Sequence, residues 1–265
     1  MAKIGFIGLG NMAEAMIGGV LRKNIVTPDQ IIGSAKTEAT EEKMAAKYCI
    51  GIRRSNAETA RESETLVLAV KPQFLAEVIE EIKDAVREDQ LIISIAAGKA
   101  LAWLAESFGR SLKLVRCMPN TPALVGEGCT GICIGERVTK GEMDYCLTLM
   151  ESFGKANFVE ERLIDAVGAV SGSSPAYVFM FIEAMADGAV AAGMPRKQAY
   201  EFAAQAVLGS AKLVLERKEH PGELKDMVCS PGGTTIQGLK VLEERGFRGA
   251  VMDAIAACVE KSGQM

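Results

Sequence analysis

The chain has 265 residues, 49% of them hydrophobic, with 30 Lys and Arg against 34 Asp and Glu for a net charge of −4. That length accommodates one large core or two domains, and the apolar share suggests a well-filled core and a buried subunit interface. No basic stripe suits nucleic acid or an anionic membrane surface, and no apolar run approaches the roughly 18 residues that span a bilayer. No charged leader with an apolar core precedes the first strand, so a cytoplasmic protein is expected.

The chain opens on a strand, Lys3-Ile4-Gly5-Phe6-Ile7, which runs into Gly8-Leu9-Gly10-Asn11-Met12-Ala13 and then an apolar helical pattern. Glycines alone would mark an ordinary turn; strand, turn and helix in this order form a dinucleotide-binding fingerprint. Gly8 permits the tight turn, Gly10 lets backbone approach a pyrophosphate, and Ala13 lets the helix pack closely on its strand. The helix N-terminus turns its unpaired N–H groups toward the phosphates. Short apolar runs predict further strands over 30–34, 65–70, 90–95, 113–117 and 131–134, separated by helical patterns over 41–47, 74–86 and 140–153. This alternation predicts an α/β fold with a doubly wound, mainly parallel sheet.

From about residue 165 the texture becomes alanine-rich and wholly helical. A long helix is expected over 165–194, interrupted at Gly172-Ser173-Ser174-Pro175, followed by helices over 196–217, 221–227, 235–244 and 249–261. The division is therefore a dinucleotide-binding domain over 1–160 and an all-helical domain over 161–265. Too few charges stand in 165–190 to cover every apolar face of a small domain, which points to a helical dimer interface.

The seven cysteines are scattered without a C-x-x-C pair, so neither a disulfide framework nor a metal site is expected. The single histidine, His220, precedes Pro221 and reads as a loop or helix-start residue. Whatever chemistry occurs here works mostly without imidazole.

The second strand ends Ile32-Gly33-Ser34-Ala35-Lys36-Thr37, with no acidic residue to meet a ribose diol. Hydroxyls and a cation suit a 2′-phosphate, so NADPH is favoured over NADH, although Glu38 lies close by. Three further strand ends supply Ala69-Val70-Lys71-Pro72, then Ala96-Ala97-Gly98, then Met118-Pro119-Asn120-Thr121-Pro122, all on one edge of the sheet. In the helical half, Cys229-Ser230-Pro231-Gly232-Gly233-Thr234-Thr235-Ile236 opens a helix. Bare N–H groups there could hold a carboxylate, or Thr234 or Thr235 could simply cap the helix.

Ser230-Pro231-Gly232-Gly233-Thr234-Thr235-Ile236 and Ser171-Gly172-Ser173-Ser174-Pro175-Ala176-Tyr177, with Ala69-Val70-Lys71-Pro72 and Phe6-Ile7-Gly8-Leu9-Gly10-Asn11-Met12, resemble the pyrroline-5-carboxylate reductase family. The resemblance spans essentially the whole chain. Its most specific part is the serine-proline-glycine-glycine loop, whereas the first fingerprint is common to many dehydrogenases. Ala13 departs from the family's third glycine and Ser174 from a frequent glycine; neither change removes a reactive group.

The resemblance implies a Rossmann-type domain followed by a helical domain that interlocks in a homodimer, with dimers often gathered into larger rings. It implies hydride transfer from a reduced nicotinamide to a cyclic imine, 1-pyrroline-5-carboxylate, giving L-proline in the last step of its biosynthesis. By resemblance, Ser230, Gly232, Gly233 and Thr234 hold the substrate carboxylate, Thr235 lies at the ring nitrogen, and Glu161 is a weaker pocket candidate. The cofactor side carries over to Gly8, Leu9, Gly10, Asn11 and Met12, to Ser34, Ala35, Lys36 and Asn56, and to Ala69, Lys71, Pro72, Ala96 and Ala97. Two alternatives stand beside it. A 3-hydroxyacid dehydrogenase-like enzyme would place a lysine early in its helical domain, where 166–174 has none; a non-catalytic dinucleotide sensor would need no second glycine loop.

Overall fold

The computed structural model describes residues 2–264. Eight strands form one sheet: β1 (Ala2–Ile7), β2 (Ile31–Ser34), β3 (Gly51–Ile52), β4 (Ser63–Leu68), β5 (Leu91–Ser94), β6 (Lys113–Met118), β7 (Gly128–Ile134) and β8 (Gly154–Phe158). Their spatial order is β3-β2-β1-β4-β5-β6-β7-β8. All pairs are parallel except β6 with β7.

Alternating side chains build a core on each face, as the strand period of two requires. Ile4 and Phe6 of β1, Val67 of β4, Ile93 of β5 and Val115 of β6 turn to one face. There they meet α1 (Asn11–Arg22), α2 (Glu38–Tyr48) and α6 (Lys140–Glu151) through residues such as Met16, Met44 and Leu149. Ile7, Leu66, Leu68, Ile92 and Leu114 turn to the other, against α3 (Asn56–Glu62), α4 (Pro72–Ile82) and α5 (Leu101–Phe108). With both faces covered, the strands read as nearly continuous apolar runs.

The expected strands and helices of this half are present, with ends displaced by a few residues. Unforeseen were β3, only two residues long; α3 and α5, too short to show a clear period; and β8, whose Lys155 and Asn157 interrupt any apolar run.

By their contacts the residues divide into two units: the sheet and its helices through Gly172, joined by the chain from Cys258 onward, and a second unit from Ser173 to Ala257. The later helices are α7 (Ile164–Val167), α8 (Ser174–Ala191), α9 (Arg196–Arg217), α10 (Pro221–Met227), α11 (Thr234–Glu244) and α12 (Phe247–Gly263). The interruption expected at 172–175 is a widened π turn over Gly168–Ser173 that leads into α8. Pro175 follows the π segment at the start of α8, and the Ser171 carbonyl four residues earlier, which its missing N–H cannot serve, accepts from Asn120 Nδ2 at 2.8 Å. His220 begins α10, its Nδ1 accepting the Gly222 N–H at 3.0 Å. No described helix is long and apolar enough to cross a membrane.

Candidate active site

The strand order reverses beside β1, and the crevice at that point, outside the carboxyl ends of the strands, is where open α/β sheets bind ligands. Gly8, directly after β1, has φ +92°, and a Cβ there would lie 2.7 Å from the Ala69 carbonyl oxygen. Only glycine holds this turn against the end of β4. The Gly8 N–H donates to the Ser34 carbonyl at 2.9 Å, joining the turn to the end of β2. Gly10 precedes α1 with no side-chain cap, and no atom lies within 4 Å of where its Cβ would be. Open space beside uncapped N–H groups at the start of a 12-residue helix fits a pyrophosphate. Leu9 is buried and Met12 packs against the core, so these two offer backbone while Asn11 remains exposed.

Ser34, Ala35 and Asn56 come together. The buried Ser34 hydroxyl donates to Asn56 Oδ1 at 2.8 Å, and Asn56 Nδ2 donates to Glu81 Oε2 at 2.6 Å. The Ala35 N–H is taken by Glu41 Oε1 at 2.9 Å. A cavity of about 400 Å³ opens over these residues, also lined by Arg54, Ser55 and Ala57. Lys36 stands with Nζ 4.8 Å above the centre of the Phe74 ring, a cation–π contact that leaves its N–H groups available. Ala69, Ala96 and Ala97 follow β4 and β5, while Lys71 and Pro72 begin α4. Arg54 was not foreseen from the sequence: it follows β3, which pairs with β2 through only two registered positions and gave no strand signal.

Glu161 is engaged within the sheet unit. Its Oε1 accepts the Leu101 N–H at 2.7 Å, at the start of α5, and Arg116 Nη1 at 3.2 Å. Arg116 is 6% exposed and also reaches Asp165 at 3.6 Å. A buried guanidinium needs such carboxylates. Burial and the nearby Glu161 push the Cys133 thiol up to about 11.

In the second unit, Gly233 caps α11 through its backbone, and the turn before it closes with the Gly233 N–H on the Ser230 carbonyl at 3.0 Å. Gly232 has φ +71°. Thr234 and Thr235 stand in the first turn of α11, exposed, and neither hydroxyl caps the helix. The first N–H groups of an 11-residue helix therefore face outward beside two free hydroxyls, an arrangement suited to a small carboxylate. The alternative of a threonine cap is not what the structure contains.

Residues 161–265 match the family described as pyrroline-5-carboxylate reductase dimerisation, and residues 3–98 match the NADP oxidoreductase, coenzyme F420-dependent family. The chain is 49% identical over 263 residues to a pyrroline-5-carboxylate reductase of Escherichia coli (strain K12), covering 99% of this chain and 98% of that protein. The chain belongs to the pyrroline-5-carboxylate reductase family. A family member from Methanosarcina acetivorans is 46% identical, over 99% of this chain and 97% of that one. The crystal structure of the Plasmodium falciparum pyrroline carboxylate reductase with NADP bound superposes with a TM-score of 0.91 at 34% identity, covering 99% of this chain and 97% of that one. Family membership leaves the dehydrogenase and sensor alternatives without support.

Proposed function

We propose that the protein reduces 1-pyrroline-5-carboxylate to L-proline with NADPH. The observation that carries this reading is the loop ending at Gly233, with its uncapped helix and its free Thr235 hydroxyl, in a chain of this family. The reduced nicotinamide supplies a hydride to the imine carbon, and the ring nitrogen ends with one added proton. A protonated imine is already a strong electrophile, so the chain contributes position and complementary charge more than a strong base. Ser230, Gly232, Gly233 and Thr234 hold the carboxylate at the start of α11, and the Thr235 hydroxyl hydrogen-bonds the ring nitrogen as the amine forms. His220, spent on its helix start, takes no part.

The deciding experiment is oxidation of NADPH, and in parallel NADH, by the purified protein with the imine, with L-proline measured as product. One proline per cofactor oxidised is expected; no oxidation with either cofactor would overturn the reading. Lys36→Glu should raise KM for NADPH about tenfold, roughly 1.4 kcal/mol, and alter that for NADH much less. An equal change for both would remove Lys36 from 2′-phosphate recognition.

The second unit supports assembly as a homodimer, and the family's rings of dimers are the larger form expected. Phe179, Met180, Phe202 and Leu215 are each more than 60% exposed there, more apolar surface than a lone domain keeps in water. Phe202→Glu with Leu215→Glu should lower the mass measured by light scattering to that of one chain; an unchanged mass would place the interface elsewhere.

A further inference from the structure

We propose that Arg54 contributes more than Lys36 to selecting the 2′-phosphorylated cofactor. The proposal rests on reading the crevice beside β1 as the nicotinamide cofactor site and deepens it. Three cations stand near the ends of β2 and β3, and they are not equivalent. Arg53 is spent: its Nε donates to Glu62 at 2.6 Å and its Nη1 to the Ile52 carbonyl at 3.1 Å. Lys36 rests over the Phe74 ring. Arg54 lines the 400 Å³ cavity with Ser34, Ala35, Asn56 and Glu81, and its guanidinium makes no ion pair or hydrogen bond among the described residues.

Its backbone, by contrast, is fixed. The Arg54 N–H donates to Glu58 Oε2 at 3.0 Å, while the next residue, Ser55, accepts the Glu58 N–H at 3.2 Å. The neighbouring Arg53 N–H joins the Gly33 carbonyl at 2.9 Å and so brings this segment beside the end of β2. An unpaired guanidinium on an anchored backbone, at a cavity it shares with Ser34, Ala35 and Asn56, matches a phosphate through its planar paired donors. The acidic groups nearby are engaged, Glu58 by the Arg54 N–H and Glu81 by Asn56. A cofactor with a bare 2′-hydroxyl would leave the guanidinium unmatched and gain little from it.

The test is equilibrium binding by calorimetry of 2′,5′-ADP and 5′-AMP to the full chain, for the wild type, Arg54→Gln and Lys36→Gln. Arg54→Gln should weaken 2′,5′-ADP more than tenfold and 5′-AMP less than twofold, so retained 5′-AMP binding also reports an intact fold. Lys36→Gln should cost 2′,5′-ADP less than Arg54→Gln does. Steady-state kinetics should show KM for NADPH raised in Arg54→Gln with kcat at saturation unchanged. Unchanged 2′,5′-ADP affinity in Arg54→Gln, or an equal loss for both ligands, would overturn the assignment. A wild-type chain that binds neither nucleotide would instead overturn the underlying reading of the crevice.

Discussion

Thr235→Val should lower turnover with the imine tenfold to a thousandfold, about 1.4 to 4 kcal/mol, while leaving cofactor affinity little changed. The exchange keeps the β-branched shape and removes only the hydroxyl. That hydroxyl is exposed and caps nothing, because Gly233 begins α11 through its backbone alone. Thermal stability should therefore stay within about 0.5 kcal/mol of the parent, as for a surface exchange. A threonine that capped the helix would behave in the opposite way, costing roughly 1 kcal/mol of stability on truncation. Thr235→Ser, which restores the hydroxyl, should recover much of the activity. Paired measurements of turnover and melting decide the point, and a fully active Val variant would remove Thr235 from the reaction.

Gly8→Ala and Gly10→Ala should both weaken NADPH, for different reasons that melting of the cofactor-free protein separates. At Gly8 the new methyl would sit 2.7 Å from the Ala69 carbonyl oxygen on a backbone of φ +92°. Strain of about 1 to 3 kcal/mol must be relieved by moving the turn away from β4, so stability and cofactor affinity fall together. At Gly10 nothing lies within 4 Å, and the backbone conformation is one that alanine adopts freely. Stability should hold there while affinity drops tenfold or more, about 1.4 kcal/mol, because the methyl occupies space the pyrophosphate needs. If Gly10→Ala binds NADPH as the parent does, the pyrophosphate does not lie against that turn.

The sheet and its wound helices were legible because their signals are local. Apolar runs alternating with helical periods mark strands buried on both faces, and the order strand, glycine turn, helix places the cofactor turn without knowledge of any contact. The helices α9 and α10 begin and end where the sequence places them, since Pro195 stands just before one and Pro221 at the first position of the other. Less was legible where a pattern runs across a break: 172–175 reads as an interruption, yet the chain turns through it as a π segment. There Gly168 and Gly172 let the backbone pass close to Met118, a residue some fifty positions earlier.

By itself, then, the sequence determined the fold class, the glycine turn after the first strand and the helix-opening loop at 229–236, each written in neighbouring residues whose conformational preferences act over a few bonds. The tertiary structure decided what each side chain is free to do. Glu161 is drawn to the Leu101 N–H and to Arg116, a buried charge that needs a partner. Arg53 is tied to Glu62 while Arg54 beside it is not, and a strand of two residues brings Arg54 next to Ser34. Such assignments depend on pairing between segments distant in the chain. No local propensity encodes that pairing; it follows only when burial of both sheet faces sets the strand order and brings these charges together.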